Sequence, residues 1–251
     1  MNKNFLKFSA IVFWVVVWWV MAKMANTFIL PSPNETLKAL YYIVLNKGFL
    51  AIITASLARI IIGFIISSII GLVLGVLAGL YEKFEIFINP IITVIKSIPV
   101  ISLILIILFW VKSDMTPLVV CFLMCLPVMY NNIYDGIKNV DSNLINMATL
   151  YKMNKLDTIK NIYFHSIKPY LFAATKTCLN LGFRVTVAAE VLSNPKYGLG
   201  TQLFDSKIYL NMADLFAYTV IIVTLSYIFE ITLKYIIKKN TLKGVIYDVK
   251  H

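Results

Sequence analysis

Charge is what this chain has least of. Asp, Glu, Lys and Arg together make up 14% of its 251 residues, against roughly 25% in a soluble domain. Its two histidines, His165 and His251, stand alone, and its twelve carboxylates are scattered. That leaves little from which to assemble acid–base or metal chemistry. Cysteine is scarce as well. Cys121, Cys125 and Cys178 all lie in apolar runs and read as small buried hydrophobes, although Cys121 and Cys125 share a helix face. There is no H-E-x-x-H, no Walker A sequence, no G-x-S-x-G and no Cys/His cluster. These absences argue against a membrane-bound enzyme, and no metal or cofactor is expected on this chain. They also exclude ATP binding by the usual loop. If the chain moves a solute uphill, the energy must come from a partner or an ion gradient.

What is abundant is apolar sequence: 60% of the residues are hydrophobic and the mean hydropathy is +0.82. The expected fold is all-α, one polytopic membrane domain over 1–251 in the lipid bilayer. About six transmembrane helices are expected near 8–24, 50–80, 86–111, 116–134, 170–192 and 212–237. Lys3 and Lys7 before the first apolar run resemble a signal peptide, but Lys23 spoils a small-residue cleavage site, so an uncleaved span is expected. Asn26 to Gly48 is a polar connection with Pro31 and Pro33 and a short helix from Glu35. The second run, 49–81, would measure about 48 Å as one helix, longer than a bilayer core. Its outer part therefore extends past the hydrocarbon, with Arg59 near the outer interface. Gly63, Ser67, Gly71, Gly75 and Gly79 recur every four residues, a spacing that lets another helix approach closely.

The third run is interrupted at Asn89-Pro90 and Ile98-Pro99, with Lys96 just before the second break. Two readings stand: a broken helix lining a cavity, or a simple kink with Lys96 reaching for the interface. The fifth run carries Lys176, Arg184 and Glu190. Charges inside a span are costly and face a partner or water. Lys96, Pro99, Arg184 and Glu190 are therefore the candidate translocation-path residues. Arg184 and Glu190, six apart, need not pair.

The longest polar interruption, 135–169, has an order of its own. Leu144, Met147, Ala148 and Tyr151 form one helical stripe. Asn154 offers an N-cap, and Leu156, Ile159, Ile162 and Tyr163 form a second stripe. Two amphipathic helices there suit either a docking surface or a pair resting on headgroups or on their own subunit. Six spans place this stretch, the Tyr81 turn and both termini on one side. Thirteen lysines lie on that side and five opposite, which makes it cytoplasmic. The net charge of +11 thus reports orientation; no nucleic-acid partner is implied. A stand-alone channel or secondary transporter is the alternative reading, but it has no need of the cytoplasmic helical pair.

The polar stretch resembles the coupling loop of ABC importer permeases, whose signature reads E-A-A, three residues, G, nine residues, I-x-L-P. The matching register here is Asn146-Met147-Ala148, then Lys152, then Ile162-Tyr163-Phe164-His165. Asn146, Lys152 and His165 replace the family's Glu, Gly and Pro. Further segments follow the order of the nitrate/sulfonate/taurine branch. They are Leu30-Pro31-Ser32-Pro33, Ser56-Leu57-Ala58-Arg59, Gly63-Phe64, Gly71 to Gly79, Asn89-Pro90, Ile98-Pro99 through Phe109-Trp110, Ala189-Glu190 and Gly198-Leu199-Gly200. The resemblance implies a homodimer of permeases in the bacterial cytoplasmic membrane, seated on cytoplasmic ATP-binding subunits that hold ATP and Mg²⁺. An extracytoplasmic solute-binding protein would feed it. Asn146, Met147, Ala148, Tyr151, Lys152 and Ile162 would meet the ATPase.

Overall fold

The computed structural model describes residues 3–24 and 30–248, so the first part of the connection expected from Asn26 lies outside the described residues. Every regular element among those residues is helical. In order they are α1 (Lys3–Met24), α2 (Pro33–Leu45), α3 (Phe49–Leu80), α4 (Glu82–Ser97), α5 (Val100–Trp110), α6 (Thr116–Lys138), α7 (Ser142–Leu150) and α8 (Lys155–Thr158). A π turn (Ile159–Tyr163) leads from α8 into α9 (Phe164–Ser193), and α10 (Leu199–Ile208) and α11 (Met212–Asp248) follow. Three helices are long and apolar enough to cross a membrane: α3, α6 and the Met212–Thr232 part of α11. The apolar part of α1, Val12–Met24, is shorter.

The centre of the fold is the α3–α6–α9 sandwich. A Cβ added to Gly63 would meet Cys121, at Gly71 Met129, at Gly75 Ile133 and at Gly79 Ile137. Each pair is separated by 58 positions, so α3 and α6 run parallel with a constant register. Lipid tails are as apolar as leucine, so helices in a bilayer gain from dispersion and close approach, not from hydrophobic burial. The glycine stripe supplies that approach. The face of α6 turned to α9 works similarly. Cys121 and Cys125 pack on Gly182, and Gly136 packs on Tyr170, which makes α9 antiparallel to α6. The thiols of Cys125 and Cys178 each point at the other residue's carbonyl, at 3.2 and 3.4 Å.

The parallel pair has a topological consequence. The chain leaves α3 at one face of the membrane and must enter α6 at the other, so α4 and α5 together carry it back across. They do this as a broken span, bent by 104° at Ile98-Pro99. Of the two readings of the run over 86–111, the broken helix is the one found, as two half-helices. The two prolines act differently because of their neighbours. Pro90 stays inside α4, where Tyr130 Oη donates to Asn89 Oδ1 at 2.8 Å and clamps that turn to α6. Pro99 has no such clamp. It becomes the N-cap of α5, with Ile98 extended at ψ 126°.

Helices α2 and α10 sit at the end where α3 begins. A capping box fixes the start of α2: Glu35 N–H donates to Ser32 Oγ at 3.3 Å, and Ser32 N–H donates to Glu35 Oε2 at 2.8 Å. Trp18 Nε1 donates to Pro31 O at 3.1 Å and ties α1 to the same end. The expected second amphipathic helix proves to be the beginning of the long helix that becomes α9. Helix continues from Lys155 through Pro169 to Ser193, and Asn154 Oδ1 caps it by accepting from Asp157 N–H at 2.8 Å. The Leu156 side chain lies outside the described residues.

Candidate functional site

Three places in the molecule carry polar function, at three levels along the helices. The first is the loop that leaves α6. Asp141 caps α7, its side chain accepting from Asn143 N–H at 2.8 Å. The helix closes with two backbone bonds, Lys152 N–H to Thr149 O at 3.1 Å and Met153 N–H to Ala148 O at 2.9 Å. That is a Schellman cap, and its left-handed position is Lys152, at φ 51°. Glycine is the usual residue there, and this is the position of the family's Gly in the sequence register. Lysine occupies the same turn with some backbone strain.

The candidate coupling residues divide into two sets. Ala148 and Ile162, expected against the ATPase, are buried instead, packed with Val140 and flanked by Ile145, Met153 and Tyr163. They hold the loop's own fold, because α7 folds back onto the start of the helix that becomes α9. Asn146, Met147, Tyr151 and Lys152 point outward. Leu150 and Tyr151 are 82% and 77% exposed, and with Leu144 and Met147 they form an apolar face that no described part of this chain covers.

The second place is at mid-span. A cavity of about 360 Å³ lies between α4, α6 and α9, and Lys96, Met124, Pro127, Asn131, Asn132 and Leu181 line it. Asn132 donates to Val128 O at 2.8 Å. Arg184 lies one helical turn beyond Leu181 and is exposed, as are Lys96 and Pro99. Neither Lys96 nor Arg184 has an acidic partner among the described residues.

The third place is a polar knot where α3 and α10 begin and α9 ends. Glu190, expected on the path, is fully buried there. Its carboxylate accepts from Arg59 Nη1 at 2.7 Å, Ser56 Oγ at 2.8 Å and Gly200 N–H at 3.0 Å. Ser56 Oγ in turn accepts from Leu199 N–H at 2.9 Å. Arg59 also donates to Tyr197 O at 2.6 Å and to Asp114 O at 3.0 Å, and its guanidinium lies 3.7 Å from the Asp114 carboxylate. Gly198 and Gly200 have to be glycine for lack of space. A Cβ on Gly198 would meet the Glu190 carboxyl at 2.8 Å, and one on Gly200 would meet Glu190 Cβ at 2.6 Å. The sequence reading placed Glu190 on the translocation path and rightly left it unpaired with Arg184, but it did not find this partner. The partner comes from α3, 131 positions earlier.

The knot joins segments far apart in sequence: Ser56 to Arg59, Ala189-Glu190 and Gly198-Leu199-Gly200. Residues 71–241 match the family model described as "Binding-protein-dependent transport system inner membrane component". The nitrate import permease protein NrtB of Synechocystis sp. is 28% identical over 78% of this chain and 74% of that protein. The putative aliphatic sulfonates transport permease protein SsuC of Bacillus subtilis is 20% identical over 81% of this chain and 74% of that protein. In fold, the chain resembles a subunit of the MetNI methionine ABC transporter in an inward-facing conformation. The TM-score is 0.66 at 15% identity, covering 78% of this chain and 99% of that one. The chain thus belongs to the binding-protein-dependent transport inner-membrane components, the permease subunits of ABC importers, on the nitrate/sulfonate/bicarbonate branch, and ATP hydrolysis falls to a separate ATPase subunit.

Proposed function

We propose that this permease passes a small anion, delivered by an extracytoplasmic binding protein, and that it works as a homodimer. The observation that carries the anion reading is the disposition of charge at membrane depth. Glu190 is locked in a saturated network, while Lys96 and Arg184 are exposed and have no counter-ion among the described residues. A cation left unpaired inside a bilayer needs a partner or water, and a transported anion supplies the first. The names of two relatives state nitrate and aliphatic sulfonates as cargo, both anions. The homodimer has similar support. Arg184 and Ala188 are exposed on one face of α9, and Ile101, Leu105 and Phe109 on one face of α5. A second copy would keep the guanidinium away from lipid.

In this reading there are six crossings, with α1 and α9 joining α3, the α4–α5 pair, α6 and α11. Both termini and the α7 loop are cytoplasmic. The outward face of Leu144, Met147, Leu150 and Tyr151 enters a groove of the ATPase, which holds ATP and Mg²⁺. Closure of the ATPase pair around ATP then rocks the helices between inward- and outward-facing states, a two-state element biased by a ligand on a partner.

Purification of the complex from native membranes tests this. An ATPase and a binding protein should co-purify, and the ligand extracted from the binding protein should be an anion. A neutral or cationic ligand overturns the anion reading. Tyr151→Asp, placed on the outward face, should strip the ATPase while the permease still inserts. Undiminished ATPase recovery overturns the docking assignment.

A further inference from the structure

The site that would meet the anion can be named more closely than the path as a whole. This step rests on the anion reading above. The break at Ile98-Pro99 lies at the middle of the fold, because the inner part of α4 pairs with the inner part of α6 (Glu85 with Tyr134, Asn89 with Tyr130). Lys96 therefore sits near the level of Pro127, and the two line the same cavity. Next to it α5 begins with no side-chain cap. Its first intrahelical bond is Leu103 N–H to Pro99 O at 3.0 Å, so the N–H groups of Val100, Ile101 and Ser102 have no acceptor within the helix. On the opposite side, Val185 and Ala189 pack against Leu103, Ile104 and Ile107, which sets the Arg184 turn beside the same elbow.

The cavity wall has its own chemistry. Lys96 brings a full positive charge, and Asn131 and Asn132 bring amides on two successive residues of α6. The Asn131 amide has no partner among the described residues. No Asp or Glu lines the space. An ammonium group and amide donors around a volume of this size suit a small oxyanion: one strong electrostatic contact and several hydrogen bonds to its oxygens. Asn132 spends one amide N–H on Val128 O at 2.8 Å; an Asn131 that merely packed in an otherwise apolar span would be expected to find an acceptor in its own subunit as well.

We propose that the Lys96–Asn131–Asn132 cavity at the broken helix is an anion-binding waypoint of the translocation path, with Arg184 at its rim and Glu190 outside it. The ammonium sets the sign of what enters, and the asparagine amides satisfy the oxygens that lose water there. The waypoint holds its cargo through one lysine, which keeps binding weak enough for release.

The test reads local charge without needing transport, an ATPase or the identity of the cargo. The native cysteines are buried, so Asn131→Cys provides the reporter thiol in the full chain, in permeabilised cell membranes. Its modification by anionic sulfonatoethyl methanethiosulfonate is compared with that by cationic trimethylammonioethyl methanethiosulfonate, each normalised to its rate with free cysteine. The anionic reagent should react about tenfold faster, as expected for one unscreened positive charge nearby. Adding Lys96→Met should erase that preference, and millimolar nitrate should slow the anionic reagent in the presence of Lys96. Asn132→Cys is a second reporter of the same cavity. Equal rates for the two reagents, a preference that survives Lys96→Met, or no reaction at either reporter would overturn the proposal. A binding protein found loaded with a neutral solute would sink the anion cargo while leaving this electrostatic measurement to decide the cavity on its own.

Discussion

The polar knot and the mid-span cavity pose the same physical problem with opposite solutions. Both put a basic side chain within a largely apolar helical bundle. At the knot, Arg59 meets a carboxylate, two backbone carbonyls and a second, exposed acid, while Glu190 receives three donors. Nothing is left for a solute to bind. At the cavity, neither Lys96 nor the neighbouring amide of Asn131 has a partner among the described residues. A satisfied buried charge fixes geometry, and an unsatisfied one at a cavity is free for cargo. Three helices meet at Glu190, so the knot holds these ends of α3, α9 and α10 in place while the elbow of α4 and α5 stays open.

Breaking the knot should therefore cost stability first. Glu190→Ala leaves Arg59, Ser56 and Gly200 N–H without their acceptor. The cost of orphaning one member of a buried pair is about 3–5 kcal/mol. Thermal unfolding of the detergent-solubilised protein, followed with a thiol-reactive dye that reports exposure of the three buried cysteines, should show a large fall. Glu190→Gln keeps acceptor and shape and should fall less. Equal losses for the two would mean that the charge, which both remove, carries the whole effect.

A smaller effect should come from filling the space around the same carboxylate. In Gly200→Ala the new methyl would overlap the Val187 carbonyl, Glu190 Cβ and the Val191 nitrogen, and backbone cannot yield as a flexible side chain does. Overpacking of this kind costs about 1–3 kcal/mol. Asp114→Ala comes next. Its carboxylate is 64% exposed and 3.7 Å from the guanidinium, though it also accepts from Lys196 N–H at 3.0 Å. Exposed pairs contribute about 0.2–1 kcal/mol. The same unfolding assay should rank Glu190 above Gly200 and Gly200 above Asp114. A different order would break the picture of a knot with a buried centre and an exposed rim.

Parts of this were legible in the sequence for identifiable reasons. A run of small residues at a period of four is a local pattern, so the stripe from Gly63 to Gly79 can be seen without coordinates. That its neighbour is α6, parallel and in constant register, depends on where the chain goes between them. The cap at Lys152 was visible only through the family register, since lysine hides the left-handed turn that glycine would have advertised. Glu190 was misassigned because spacing along one helix reports only neighbours on that helix, and its partner lies on α3. The inward turn of Ala148 and Ile162 escaped for a similar reason. An amphipathic stripe shows that a face is apolar, but it does not say whether the subunit's own chain or another protein covers it. Lys96 beside Ile98-Pro99 was recognisable as a break, and the choice between kink and cavity needed the 104° bend.

The sharpest contrast to the knot is the smallest expected change. Lys96→Met removes a charge that no acidic group among the described residues balances, and methionine keeps the length of the aliphatic stem. Surface-like substitutions without partners change stability by about 0.5 kcal/mol or less, and here even a slight gain is in order, because an unpaired ammonium at membrane depth is itself a cost. In the unfolding assay Lys96→Met should therefore match the parent or exceed it, where Glu190→Ala collapses. The two should also differ in kind. ATP-driven uptake by the Lys96→Met complex should fall about tenfold at parental protein levels, the loss of one charge-assisted contact to the cargo. Loss of uptake after Glu190→Ala should track the loss of folded protein. If Lys96→Met instead destabilises by several kcal/mol, Lys96 has a hidden structural partner, and the division between a knot that holds and a cavity that carries fails at its second term.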